Sequence, residues 1–128
     1  MENEGSYPLK KNIVKEKSFA FALRIIKWHR FLQDEKREYV LSKQLLRSGT
    51  AIGALVREAE QAESKADFIH KMAIALKEAN ETDYWIELLY QSETLEEKGF
   101  SSIKPDITEL IKLLTSIIKT SRGKERAI

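Results

Sequence analysis

Two short spacings in the sequence combine residue types that can do chemistry. Arg24 and His29 are five positions apart, and an arginine that holds a phosphate near a histidine that transfers a proton suits the cleavage of RNA. Asp67 and His70 are three positions apart and resemble half of a di-metal site, which needs two such pairs and two further carboxylates. Each pattern occurs once and without its context, and such matches are mostly chance. We therefore expect Arg24 at the rim of a helix bundle, His29 packed at its edge, and no metal site.

Other motifs that carry chemistry are missing from the sequence. It contains no glycine-rich phosphate loop and no nucleophile turn, and its lack of Cys excludes disulfides, thiolate zinc sites and nucleophilic thiols. A chain without Cys fits a reducing compartment. No apolar run has the length of a membrane span, and the polar first twelve residues lack the apolar core of a secretory signal. We expect a cytoplasmic protein that is not an enzyme, has no cofactor and does not enter membranes.

The elements that position these residues are predicted to be helices of one domain. The chain has 128 residues, of which 42% are hydrophobic and 33% charged, and its 5 Gly and 2 Pro are too few for the turns of an all-β fold. Apolar residues recur at steps of three and four in four segments. These segments are residues 12–33, 39–63, 65–97 and 105–120.

The ends of these segments carry their own signals. Ser64 and Asp67 resemble a capping box at the start of the third segment. Gly99 predicts a helix end, and Pro105 predicts the first turn of the last helix.

Four amphipathic helices with short connections predict an all-α, antiparallel up-down-up-down four-helix bundle over residues 12–120. Residues 1–11 are predicted to form a flexible N-terminal segment, and residues 121–128 a mobile basic tail.

Small residues cluster in the second segment, where Gly49 and Gly53 lie within a helix. A glycine in a helix interior costs about 1 kcal/mol relative to alanine. Close approach of a neighbouring helix offsets such a cost, because small side chains shorten the distance between helix axes. We therefore expect Gly49 and Gly53 at a helix or subunit contact.

Charge is distributed unevenly along the chain. Its net charge is +2, but residues 1–47 carry +5, residues 48–110 carry −7 and residues 111–128 carry +4. Basic ends around an acidic middle suit a patch for phosphate backbones or a docking of one copy on another, and ordinary scatter on solvated faces is the third interpretation. The candidate contacts to nucleic acid are Lys15, Lys17, Arg24, Lys27, Arg47, Lys119 and Arg122.

Four stretches of the chain resemble one known family. These are KSFAFALRIIK (17–27), YVLSKQLLRSGTAIGALVREA (39–59), SKADFIHKMAIALKEANETDYWIELL (64–89) and LIKLLTSIIKT (110–120). They resemble bacterial four-helix-bundle proteins that are encoded in intervening sequences of 23S ribosomal RNA genes, to which the accessory variability protein of diversity-generating retroelements is related. The resemblance implies an antiparallel bundle that forms a ring, commonly a homopentamer. The retroelement relative is strongly basic and binds nucleic acid and a reverse transcriptase. This chain departs from it in its modest charge and in its acidic junction EAEQAES.

The matched stretches contain candidate structural or interface residues. Glu78, Glu81 and Trp85 share one helix face, and Arg47 on the second helix is a candidate partner for their carboxylates. Gln44 lies near Arg47 and is a candidate for hydrogen bonds across helices or subunits. We expect the aromatic residues of the third helix to serve the core or an interface rather than base stacking.

The sequence thus predicts a non-enzymatic homo-oligomer that binds RNA, DNA or a partner protein through basic residues of the first and fourth helices. The alternative is an assembly module without a nucleic-acid partner, in which charge segregation serves subunit docking.

Overall fold

Four α-helices pack side by side in a computed structural model that describes the backbone of residues 2–126 and the side chains of residues 9–123. They are α1 (Glu2–Asp34), α2 (Val40–Glu60), α3 (Lys65–Gln91) and α4 (Glu97–Arg126). Each helix packs against the next, and α4 closes the bundle against α1. The predicted all-α, antiparallel bundle is confirmed. Its core includes Val14, Phe21, Ile25, Leu32, Ile52, Met72, Ile86, Leu89, Ile107, Leu110, Leu114 and Ile117.

Glycines bring α1 and α2 close together. A Cβ on Gly49 would lie 2.9 Å from Cγ1 of Ile25, and a Cβ on Gly53 would lie 3.3 Å from the backbone oxygen of Ser18. Both positions therefore need a small residue so that α1 can approach the backbone of α2. The helix contact expected from the sequence lies within the bundle at both glycines.

Helix α4 begins earlier than the sequence analysis predicted. Gly99 does not end a helix but lies in the first turn of α4, where a Cβ would meet the indole of Trp28 at 2.5 Å. Phe100 stacks on Tyr90 with ring centroids 4.0 Å apart. These tertiary contacts hold a helical turn ahead of Pro105, which is an exposed interior residue of α4 instead of its first turn. The prolyl nitrogen cannot donate a hydrogen bond, but Ser101, whose carbonyl would accept it, is exposed to water.

Two residues with positive φ follow the ends of α1 and α3. Helix α1 ends at Asp34, one residue after its predicted end, whereas α3 ends before the glycine that predicted its end. Arg37 (φ 56°) and Glu93 (φ 65°) adopt the left-handed conformation that is uncommon for residues other than Gly. After Glu93 the amides of Thr94 and Leu95 donate to the oxygen of Leu89, which closes α3 at Gln91, six residues before the predicted end.

The outer ends of the bundle also differ from the predicted boundaries. Helix α1 starts at Glu2 rather than residue 12, and α4 continues to Arg126 rather than residue 120, with Ser121 buried. The helical backbone thus extends into both predicted terminal segments, whose flexibility stays a prediction. Residues 1, 127 and 128, and the side chains of residues 2–8 and 124–126, lie outside the described part of the chain.

Candidate interaction surfaces

Arg24 and His29 point to different helices. The Arg24 guanidinium binds α4, where it donates to the Ser102 oxygen at 3.1 Å and to the carboxylate of Asp106. His29 Nδ1 lies 3.1 Å from the Ser42 oxygen on α2. Five residues correspond to about 140° of rotation around a helix, so the two side chains do not converge on one substrate atom.

Asp67 serves the start of α3. Its amide donates to Ser64 Oγ at 3.0 Å, as expected of the predicted capping box. Its carboxylate accepts the amide of Glu63 at 3.2 Å, one residue before the amide of Ser64 that a capping box uses. Within the described residues, no group of three or more His, Asp or Glu side chains is arranged to hold a metal ion.

Arg47 joins α2 to α3 through two carboxylates. Its guanidinium lies 3.2 Å from Glu78 and also binds Glu81, whose carboxylate accepts the indole N–H of Trp85 at 3.1 Å. Nε of Arg47 donates to Gln44 at 3.3 Å. The hydrogen bond from Arg47, then that from Trp85, lowers the pKa of Glu81, and the hydrogen bond to Glu81 raises the pKa of Arg47. The structure thus brings these five candidate residues together in a half-exposed network on the α2–α3 seam.

A buried pair of hydroxyls lies next to this network. Thr82 Oγ1 is 2.9 Å from Ser48 Oγ, and both residues are fully buried. Since buried polar groups are costly unless paired, this contact favours one register of α2 against α3.

Three more of the candidate nucleic-acid contacts are held in ion pairs within the chain. Lys15 lies 3.2 Å from Glu60, Lys17 lies 3.3 Å from Glu109, and Arg24 binds Asp106. These pairs are partly exposed, and each stabilises the bundle by about 1 kcal/mol or less. Their positive charge is largely balanced locally, which reduces the field that would attract phosphate.

Lys27, Lys119 and Arg122 are exposed and have no ion-pair partner among the described side chains. Lys119 and Arg122 lie one turn apart on α4, at the end where Lys10 of α1 donates to Ser116 at 2.8 Å. Lys27 lies near the opposite end, because its neighbour Trp28 packs on Gly99. With about 1.5 Å per residue along a helix, the two groups are about 30 Å apart. The seven candidates therefore do not form one continuous basic patch.

An apolar groove between α1 and α2 escaped the sequence analysis. Two of its large side chains, Phe19 and Leu23, are 51% and 49% exposed. We call it the α1/α2 groove; it encloses about 300 Å³ and is lined by Phe19, Ala22, Leu23, Ile26, Thr50, Gly53, Ala54 and Arg57. Phe19, Leu23 and Ile26 follow the helical spacing of four and three, a second apolar stripe beside the core stripe of α1. That spacing is the signal that could have revealed the groove.

Arg57 closes one end of the groove. Its guanidinium carbon lies 5.2 Å from the centroid of the Phe19 ring, a cation–π arrangement. Beyond it lies an open cleft of about 470 Å³ that is lined by Asn12, Lys15, Glu16, Phe19 and Arg57.

The aromatic residues of α3 divide between surface and packing. Tyr84 is 57% exposed and meets Trp85 edge to face, with ring centroids 5.0 Å apart. Tyr90 stacks on Phe100 and donates its hydroxyl to Glu97, which raises the pKa of Tyr90 and lowers that of Glu97. No helix in the described part of the chain is long and apolar enough to cross a membrane.

The fold and its surfaces define an all-α four-helix bundle with ion pairs between neighbouring helices and an apolar groove between α1 and α2. A family model for 23S rRNA-intervening sequence proteins matches residues 10–116, and the chain belongs to this family. The fold is similar to the crystal structure of a protein of unknown function from the S23 ribosomal protein family of Bacteroides thetaiotaomicron. That protein is 59% identical with a TM-score of 0.84, and the match covers 86% of this chain and 98% of the other. No curated protein matches the chain.

Proposed function

We propose that this protein is a non-enzymatic assembly module whose copies associate through the α1/α2 groove. The observation that carries the proposal is the groove itself, in which half-exposed Phe19 and Leu23 flank a floor of small residues. A large apolar patch that is exposed to solvent is typical of a site that contacts another protein. A helix of a second copy fits such a floor, because Ala22 and Ala54 in the lining have small side chains.

The charge distribution supports self-association over a dominant role in nucleic-acid binding. Four of the seven candidate cations are balanced by carboxylates of the same chain. The groove, in contrast, has no carboxylate in its described lining and can exclude water along its length. The ring implied by the sequence resemblance is one closed form that such a contact can produce.

A charge placed in the groove tests this function. We expect Leu23→Glu to give monomers under conditions in which the unaltered protein forms oligomers, measured by light scattering after size-exclusion chromatography. Ala20→Glu adds the same charge to an exposed position of α1 outside the groove and serves as the matched control. An unaltered protein that is monomeric at all concentrations, or a Leu23→Glu variant that still assembles, would contradict the proposal.

Nucleic-acid binding is a second candidate function, favoured by one observation. Lys119 and Arg122 are exposed without described ion-pair partners, near Lys10, at one end of the bundle. We expect Lys119→Glu with Arg122→Glu to weaken binding of labelled RNA or DNA at low salt, whereas Lys27→Glu at the other end has little effect. Fluorescence anisotropy checks this, and a lack of binding at low salt rejects it.

A further inference from the structure

Arg57 differs from the two arginines that cross the seams of the bundle. Arg24 and Arg47 are bound to carboxylates of the same chain. Arg57 is exposed, and no carboxylate among the described side chains forms an ion pair with it. Its one recorded interaction is the contact with the ring of Phe19, at the end of the α1/α2 groove.

We propose that the Arg57 guanidinium binds a carboxylate of a second copy and thereby sets the register of that copy in the groove. The proposal rests on the proposed self-association and adds the polar contact that this association uses. A guanidinium presents a planar fork of donors that matches a carboxylate.

Two features of the site favour such a contact. The ring of Phe19 restricts the guanidinium before binding, so that less side-chain freedom is lost when a carboxylate arrives. The apolar lining next to it excludes water once the groove is covered, which strengthens a charge pair relative to one in open solvent. Arginines beside aromatic rings are frequent among the residues that dominate binding energy at interfaces.

The same chain can supply the carboxylate. Most of its described Asp and Glu side chains form ion pairs or cap helices. Five described carboxylates are exposed without a recorded side-chain partner: Glu16, Asp34, Glu35, Glu63 and Glu93. Glu16 lines the same cleft as Arg57 but forms no ion pair with it, and the other four do not line that cleft, so a second copy has free acidic groups that can pair with Arg57.

Variants that change the charge at Arg57 and at the candidate carboxylates test this proposal. We expect Arg57→Gln to raise the dissociation constant of the oligomer about tenfold, and Arg57→Glu to raise it further, as measured by sedimentation. Combining Arg57→Glu with a reversal to Lys at one of the five carboxylates is expected to restore association. Arg122→Gln, at an exposed arginine of α4, which does not line the groove, is the control. Circular dichroism checks that each variant keeps its helical fold.

The possible results separate this inference from the proposed function. If Leu23→Glu disrupts the oligomer but Arg57→Gln leaves the dissociation constant within twofold, the role of Arg57 is wrong and the groove remains the contact. If no charge reversal restores the Arg57→Glu variant, the inference is also overturned. A monomeric unaltered protein would overturn both.

Discussion

At the scale of single residues, contacts between neighbouring helices determine which side chains are free to bind other molecules. Arg47 and Arg24 are examples of candidate binding residues that instead hold neighbouring helices together. Their partners follow partly from the sequence, because Glu78 and Glu81 are one turn apart and face the second helix. The contact of Arg57 with the ring of Phe19 could not be predicted from the sequence, since it depends on how closely the glycines let α1 and α2 pack.

Gly99 must be small because it packs against the side chains of Trp28 and Leu95. We expect Gly99→Ala to destabilise the fold by about 1–3 kcal/mol, because the new methyl group collides with Trp28 and the side chain of Leu95. Urea unfolding measures the change. Gly123→Ala is the matched control, because a Cβ there meets nothing within 4 Å. Equal stabilities of the two variants would contradict this account.

The Arg47–Glu81 pair predicts a dependence of stability on pH. The pKa of Glu81 is lowered in the folded state, chiefly by the hydrogen bond from Arg47. The pair therefore stabilises fully above the ordinary carboxyl pKa of about 4.3, and this stabilisation is lost as the pH falls through the lower folded pKa. We expect Glu81→Gln to cost about 1 kcal/mol at pH 7 and progressively less below about pH 4.

Urea unfolding between pH 3 and pH 7 checks the Glu81 prediction. Glu93→Gln, at an exposed carboxylate without a recorded side-chain partner, should not change the free energy of unfolding over that range. A constant difference between Glu81→Gln and the unaltered protein at all pH values would show that the pair does not titrate as described.

At the scale of elements, the number of helices and their core faces were predictable, but several ends were not. The apolar spacing reports which face packs, whereas a helix end depends on local contacts. The start of α4 depends on Gly99 under Trp28 and on Phe100 against Tyr90, which join residues far apart in the sequence. The stretch before α2 contains no usual cap residue at its boundary, and the side chain that takes this role is Glu38.

The Glu38 side chain caps the N-terminus of α2 through three hydrogen bonds. Its carboxylate accepts the amides of Val40, Leu41 and Ser42, at 3.3, 3.0 and 2.7 Å. Those amides have no partner within the helix, and a negative charge favours the helix N-terminus. We expect Glu38→Ala to lower the free energy of unfolding by about 1–2 kcal/mol.

Thermal and urea unfolding test the cap. Glu35→Ala removes a carboxylate from the same loop, where no side-chain partner is recorded, and is expected to change the stability by less than about 0.5 kcal/mol. If Glu38→Ala and Glu35→Ala are equally stable, the three amides do not depend on the carboxylate.

At the scale of the whole molecule, ion pairs between helices balance part of the uneven charge along the sequence. The acidic residues around the α2–α3 junction lie at the same end of the bundle as the start of α1, where Glu60 balances Lys15. Ion pairs such as this one balance part of the surface charge within one chain, while the α1/α2 groove stays open. Sequence patterns could not show which charged side chains form ion pairs and which surface stays open, because both depend on which faces the packed helices present to each other.

The chain has no Cys, so a single introduced thiol can report directly on whether the groove is covered. Ala54→Cys places it in the groove, and Ala20→Cys places it on an exposed part of α1 outside the groove. With rising protein concentration, maleimide labelling of Ala54→Cys is expected to slow, while labelling of Ala20→Cys keeps its rate. Equal labelling rates at concentrations where light scattering detects an oligomer would contradict assembly through the groove.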